Sequence, residues 1–235
     1  MRIYTIIFLT ILAVISCTNS GCDDLTETEA GLIRGADSIM RVLTIEDSLD
    51  NVVLRTSSKD FSATALLSSD FERLSDLMVK TVTHPSQDGV GIAGPQVGLN
   101  RRVVAVQRFD KQGEPFEVYP NIRIIWASDS LAPGPEGCLS VPDRRGEVLR
   151  SQEIVIEYAD LHALSDAGSA ECRCSGNPRD AKDARGAMDS EDSRGGVDAR
   201  GVAIPMVRDT VKGFTAVIFQ HEIDHLDGIL YIDRL

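Results

Sequence analysis

Residues 221–228 read His221-Glu222-Ile223-Asp224-His225-Leu226-Asp227-Gly228, and the interpretation of the whole chain turns on them. On a helix, two imidazoles at i and i+4 project from one side about one turn apart, so they can share one metal ion. Glu222 then sits beside the ion's open position, where a carboxylate can take a proton from water. The plainer alternative is a pair of core-edge histidines bonded to backbone. Working outward, Phe214, Val217, Ile218, His221 and His225 share a face at helical spacing, which predicts a helix over 211–227. Gly228 is its natural stop, and residues 229–232 read as a short final strand or extended tail.

Two imidazoles do not complete a site. Among the ten residues after His225 there is no His, Cys or Glu. Asp227 points off the metal face, and Asp233 would need a tight return. A third ligand is therefore expected from upstream. Cys138, in Pro135-Glu-Gly-Cys-Leu-Ser140, is the candidate, because Gly137 before it permits close backbone approach. A buried apolar cysteine is the competing reading. Farther upstream lies Gly89-Val-Gly-Ile-Ala-Gly-Pro-Gln96-Val-Gly98. It lacks the Lys-Ser/Thr of a phosphate loop and the spacing of a dinucleotide fingerprint. It is either an ordinary turn or a segment that aims the Gln96 amide at an oxyanion.

The remainder predicts a helix over 70–82, started by a capping box from Ser69 to Glu72. Strands are predicted at 103–107, 116–119, 122–126, 147–150, 154–158 and 203–207. Residues 163–203 are rich in Ala, Ser, Asp, Gly and Arg and almost free of large apolar side chains. Such a stretch buries too little surface to offset its ordering entropy, so it reads as a disordered insertion. Cys172 and Cys174 inside it read as free thiols.

The N-terminus has Arg2, an apolar run over residues 3–15, Ser16 and Cys17. The run is too short to span a bilayer, and its order is that of a secretory signal ending in a lipoprotein box. Residues 1–17 are thus expected to be a signal, Cys17 a lipidated membrane anchor, and 18–39 a tether to a catalytic unit over 40–235. The alternative is a cytoplasmic protein starting near Met40. The chain of 235 residues is 43% hydrophobic and 26% charged, as a soluble globular protein is. Its net charge of −12 argues against nucleic acid as a partner. Its five cysteines lack the spacing of a disulfide framework.

Taken together, the glycine-rich segment ending in Gln96, Glu136-Gly-Cys138-Leu-Ser140 and His221-Glu-Ile-Asp-His225 resemble the motifs of the peptide deformylases, in that family's order. The resemblance covers roughly 40–160 and 203–235. It implies an α+β fold of mixed, mostly antiparallel sheets around a central metal-binding helix. It implies a monomeric enzyme that removes formate from N-formylmethionyl peptides. The implied metal is a ferrous ion held by Cys138, His221 and His225, for which zinc, nickel or cobalt substitutes, zinc with weaker activity. Glu222 becomes the general base, and the Gln96 amide and Leu139 N–H become the oxyanion donors. Gly91, Ile92, Gly137, Val217 and Ile218 become substrate-pocket residues. Gly94-Pro95 departs from the family's Ala-rich pair, and Ile92 from its usual Leu. The export signal fits poorly with cytosolic formylated chains and with an oxidisable ferrous–thiolate site. Two rival readings are a zinc endopeptidase, which lacks its downstream ligand here, and a non-catalytic surface lipoprotein, which has no use for Glu222.

Overall fold

A computed structural model describes residues 24–173, 196–198 and 201–235. The signal at 1–17 and its Cys17 lie outside the described residues, as do the Cys172 and Cys174 thiols. Among the described residues, no helix is long and apolar enough to cross a membrane.

The chain opens with α1 (Glu27–Gly35), α2 (Ser48–Leu54), α3 (Ala63–Leu66) and α4 (Ser69–Val82). Then β1 (Gly91–Ala93), a 3-10 turn (Gly94–Val97), β2 (Val103–Gln107) and β3 (Phe116–Pro120) form one antiparallel sheet in the order β1-β2-β3. Next come β4 (Arg123–Ala127), β5 (Leu131–Cys138), β6 (Val141–Ser151), β7 (Glu153–Ala159) and α5 (Leu161–Arg173). The short β8 (Gly196–Val197) and β9 (Ala203–Ile204) pair with each other. The chain closes with β10 (Met206–Lys212), α6 (Gly213–Leu226) and a second 3-10 turn (Tyr231–Arg234). A second antiparallel sheet runs β10-β7-β4, and β5 and β6 make a long hairpin. This is the α+β arrangement expected, with α6 in the middle.

Two cores share β2. Val103 and Ala105 face α4 together with Ile92, while Val104 and Val106 face α6 together with Ile154, Ile156 and Phe219. A strand buried on both faces shows no alternation of polarity. Helix α6 is buried almost all round, as its apolar composition requires, and Gly213 and Phe214 at its start are the exposed exceptions.

Several boundaries differ from expectation. The cap of α4 is Ser68, whose hydroxyl accepts from Phe71 N, so the Ser69–Glu72 box does not form. Helix α6 begins at Gly213, because residues 211 and 212 still pair with Ile154 and Glu153 in the sheet. The tail closes as a 3-10 turn over 231–234 and not as a strand. Strand β5 was hidden by Pro133, Gly134 and Pro135, which a two-stranded edge tolerates because one side of its ladder is open.

Residues 24–39 are not a tether. Thr26 caps α1 through a reciprocal box with Glu29. Ile33 is fully buried in the α4 core, and Glu29 holds the buried Arg101 guanidinium at 2.6 Å. The polar composition concealed a helix with a narrow apolar face. Likewise, the first part of the expected disordered insertion is helical. The Asp160 carboxylate accepts from the His162 and Ala163 amides, and Leu164 is buried. Ile33→Ala is therefore expected to lower stability by about 2–4 kcal/mol in urea unfolding, as large-to-small core changes do. No change would restore the tether.

Candidate active site

Helix α6 turns three polar side chains inward: His221, Glu222 and His225, all at most 9% exposed. They face the end of β5, where Glu136 and Cys138, two residues apart on one strand, lie on the same side. The Cys138 sulfur is 3.2 Å from His225 Nε2. Ligand atoms of Cys138, His221 and His225 all lie within 4.8 Å of one another. Asp227 and Asp233, the downstream alternatives, are instead bonded to Arg102 and Arg55.

The donor set suits a divalent transition ion: one sulfur, two imidazoles and an open fourth side. Its orientation is imposed from behind. Glu136 accepts from His221 Nδ1 at 2.7 Å, which leaves Nε2 for a metal. Arg150 grips the same carboxylate at 2.7 and 3.0 Å and reaches Asp224 on α6 at 2.6 Å. Burial would raise the Glu136 carboxyl, but its bonds to His221 and Arg150 prevail and hold it at about 2. Against the effect of burial, hydrogen bonds to Cys138 and Glu136 and the charge of Glu222 raise His221. A metal held at Nε2 would take the place of that proton.

Glu222 differs from Glu136. Burial, reinforced by the Glu136 charge and opposed by His221, pushes its carboxyl up to about 7. Its Oε2 has no hydrogen-bond partner among the described residues. A carboxyl poised near neutrality with a bare oxygen can both accept and release a proton.

Gln96 lies on the first 3-10 turn. Ala93 N donates to its Oε1 at 2.8 Å, which turns Nε2 inward, 3.2 Å from Ser140 Oγ and 3.5 Å from Cys138 Sγ. A cavity of about 760 Å³ opens here, lined by Gly91, Gln96, Gly137, Cys138, Leu139, Val217, Ile218, His221 and Glu222. Ile92 is not among its lining. It is fully buried in the α4 core, because neighbouring residues of β1 face opposite ways. Glu136 and Arg150 were not singled out from sequence. The i, i+2 spacing to Cys138 was a usable signal for Glu136, whereas nothing local marks Arg150.

Two imidazoles and a thiol that converge beside a near-neutral carboxyl, at the wall of one cavity, define a candidate metallohydrolase centre. The family model for polypeptide deformylases matches residues 39–166 and 199–235. Peptide deformylase 2 of Gloeobacter violaceus is 31% identical over 189 residues, covering 80% of this chain and 76% of that protein. Peptide deformylase 2 of a Nostoc species is 33% identical over 170 residues, covering 70% and 71%. A class I type b peptide deformylase from Acinetobacter baumannii superposes with a TM-score of 0.61 at 28% identity, covering 85% of this chain and all of that one. Crystal structures of that enzyme hold Met-Ala-Ser and actinonin. The chain belongs to the polypeptide deformylase family and is a hydrolytic enzyme.

Gly91 shows how tight the site is. A Cβ there would lie 2.5 Å from Glu222 Oε1 and 2.9 Å from its Cδ. Gly91→Ala is expected to displace the carboxylate and cut kcat about 10–100-fold, the scale of a misplacement of about 1 Å. Metal content by elemental analysis should not change, and unaltered kcat would show that Glu222 has room to spare.

Proposed function

We propose that this protein hydrolyses the formyl group from N-formylmethionyl peptides, releasing formate, with a ferrous ion held by Cys138, His221 and His225. The observation that carries the reading is the bare, near-neutral Glu222 carboxyl beside the three converging ligand atoms. When bound, the ion would supply Lewis acidity, polarising the formyl oxygen and making water acidic enough to react at neutral pH.

The chain's own groups do the rest. Glu222 accepts a proton from the attacking water at its free oxygen. The water oxygen bonds to the formyl carbon, and the Gln96 Nε2–H and Leu139 N–H donate to the oxygen that gains charge. Glu222 then passes its proton to the peptide nitrogen as the carbon–nitrogen bond breaks. Formate and a free amino terminus result, and Glu222 returns to its starting state. Val217 and Ile218 offer apolar wall to the methionine side chain. Support for a peptide in this cavity comes from the related enzyme that holds Met-Ala-Ser.

The test is formate release from a formyl-Met tripeptide by anaerobically prepared, iron-loaded protein. Glu222→Ala should abolish release while keeping the metal; metal loss in that variant would give Glu222 a structural role instead. Cys138→Ser should weaken metal retention on dialysis, and unchanged retention would remove Cys138 from the ligand set.

The companion reading of location rests on the order of residues 1–17: export, then anchoring through lipidated Cys17. Metabolic labelling with a radioactive fatty acid should mark the full-length protein and not Cys17→Ala. Equal absence of label from both would return the protein to the cytoplasm.

A further inference from the structure

The mouth of the cavity carries a charge anomaly. In this acidic chain the described arginine side chains are bonded to carboxylates or carbonyls: Arg34, Arg41, Arg55, Arg73, Arg101, Arg102, Arg108, Arg123, Arg150, Arg208 and Arg234. Among those described, Arg144 and Arg145 are the two without such a partner, and both line the cavity. They are adjacent and exposed, six and seven residues beyond Cys138.

The fold sets them there by an irregularity. On the β5–β6 hairpin Cys138 pairs with Val141, but the next pair is Gly137 with Arg145. Residues 142–144 are therefore extra on β6, and Asp143 takes up a left-handed conformation (φ 57°) to close the bulge. Bulges beside active sites re-aim side chains, and this one turns Arg144 to the cavity wall. Arg145 lies across Gly137, its Cγ 3.6 Å and its Nε 3.9 Å from where a Cβ on that glycine would be. Asp88 and Asp143 share the wall without forming an ion pair to either arginine.

Each guanidinium, with its donors free, is a planar fork for a carboxylate. The cavity, about 760 Å³, is lined by Glu222 and by both arginines, so one bound molecule can reach from the Glu222 carboxyl to the guanidinium groups. We infer that Arg144 and Arg145 read a carboxylate on the substrate downstream of its formyl-methionine, giving this enzyme a preference for anionic short peptides. The inference rests on the deformylase reading above. The carboxylate can be a free C-terminus or an acidic side chain, and the peptides below separate the two.

Formate release by the iron-loaded full chain would be compared for formyl-Met-Ala-Ala-amide, the same peptide as free acid, formyl-Met-Ala-Glu-amide and formyl-Met-Ala-Lys-amide. At least one anionic peptide should exceed the neutral amide in kcat/KM by about fivefold, the scale of an exposed charge pair, and the lysine peptide should fall below it. A gain for the free acid alone assigns the terminus; a gain for the glutamate peptide alone assigns the side chain. The advantage should shrink as salt rises. Arg144→Gln with Arg145→Gln should bring the ratios close to one. Arg145→Glu should turn the preference toward the lysine peptide, a gain that misfolding cannot produce. Equal kcat/KM across the series, or a preference that survives the double change, would overturn the charge reading alone. No formate from any of the peptides, with iron bound, would overturn the deformylase reading beneath it.

Discussion

The hydrogen bond from His221 to Glu136 is the contact on which the site depends. Burying two imidazoles and a carboxylate on a central helix is costly unless each finds a partner. Glu136 meets that need for His221 and draws in Arg150, which spans to Asp224 one turn further along α6. Arg234 on the closing turn binds the same Asp224. One buried network therefore joins β5, β6, α6 and the C-terminal turn. Charges buried in this way add little net stability, but loss of one partner leaves the others uncompensated. The arrangement fixes geometry more than it strengthens the fold.

The same site holds two carboxyls in opposite roles, Glu136 from β5 and Glu222 from α6. Glu136, with Arg150 and His221 against it, stays ionised and orients. Glu222, fully buried and with no bonded partner for one oxygen, sits near neutrality and can exchange a proton. The contrast comes from the neighbours and not from the residue type, which is the same.

Much of this was legible in the sequence. The i, i+4 histidines, the adjacent glutamate and the Gly-Cys segment carried the site, because helical geometry converts spacing into proximity. Strands 103–107 and 154–158 were found because β-branched residues crowd them. What escaped has physical reasons. β5 is rich in Pro and Gly, so its ladder left no compositional trace. α1 is polar on most of its surface and earns its place through Ile33 and the Glu29–Arg101 pair, a contact across more than seventy positions. The resemblance implies a pocket place for Ile92, yet a strand sends alternate side chains to opposite faces, and Ile92 turns to the α4 core. The unpaired state of Arg144 and Arg145 depends on where every carboxylate of the fold lies, which sequence order does not give.

The pairing of Ala159 with Met206 has a consequence beyond the sheet. It clamps the two ends of the intervening segment side by side, so the segment is topologically a hairpin connection. The entropy of closing such a loop rises only with the logarithm of its length, about 0.6 kcal/mol per doubling. Length at this point is thus nearly a free variable. The sheet that supports α6 responds to the clamp and not to how much chain passes through it, so the molecule has a place where new sequence can accumulate without disturbing the chemistry.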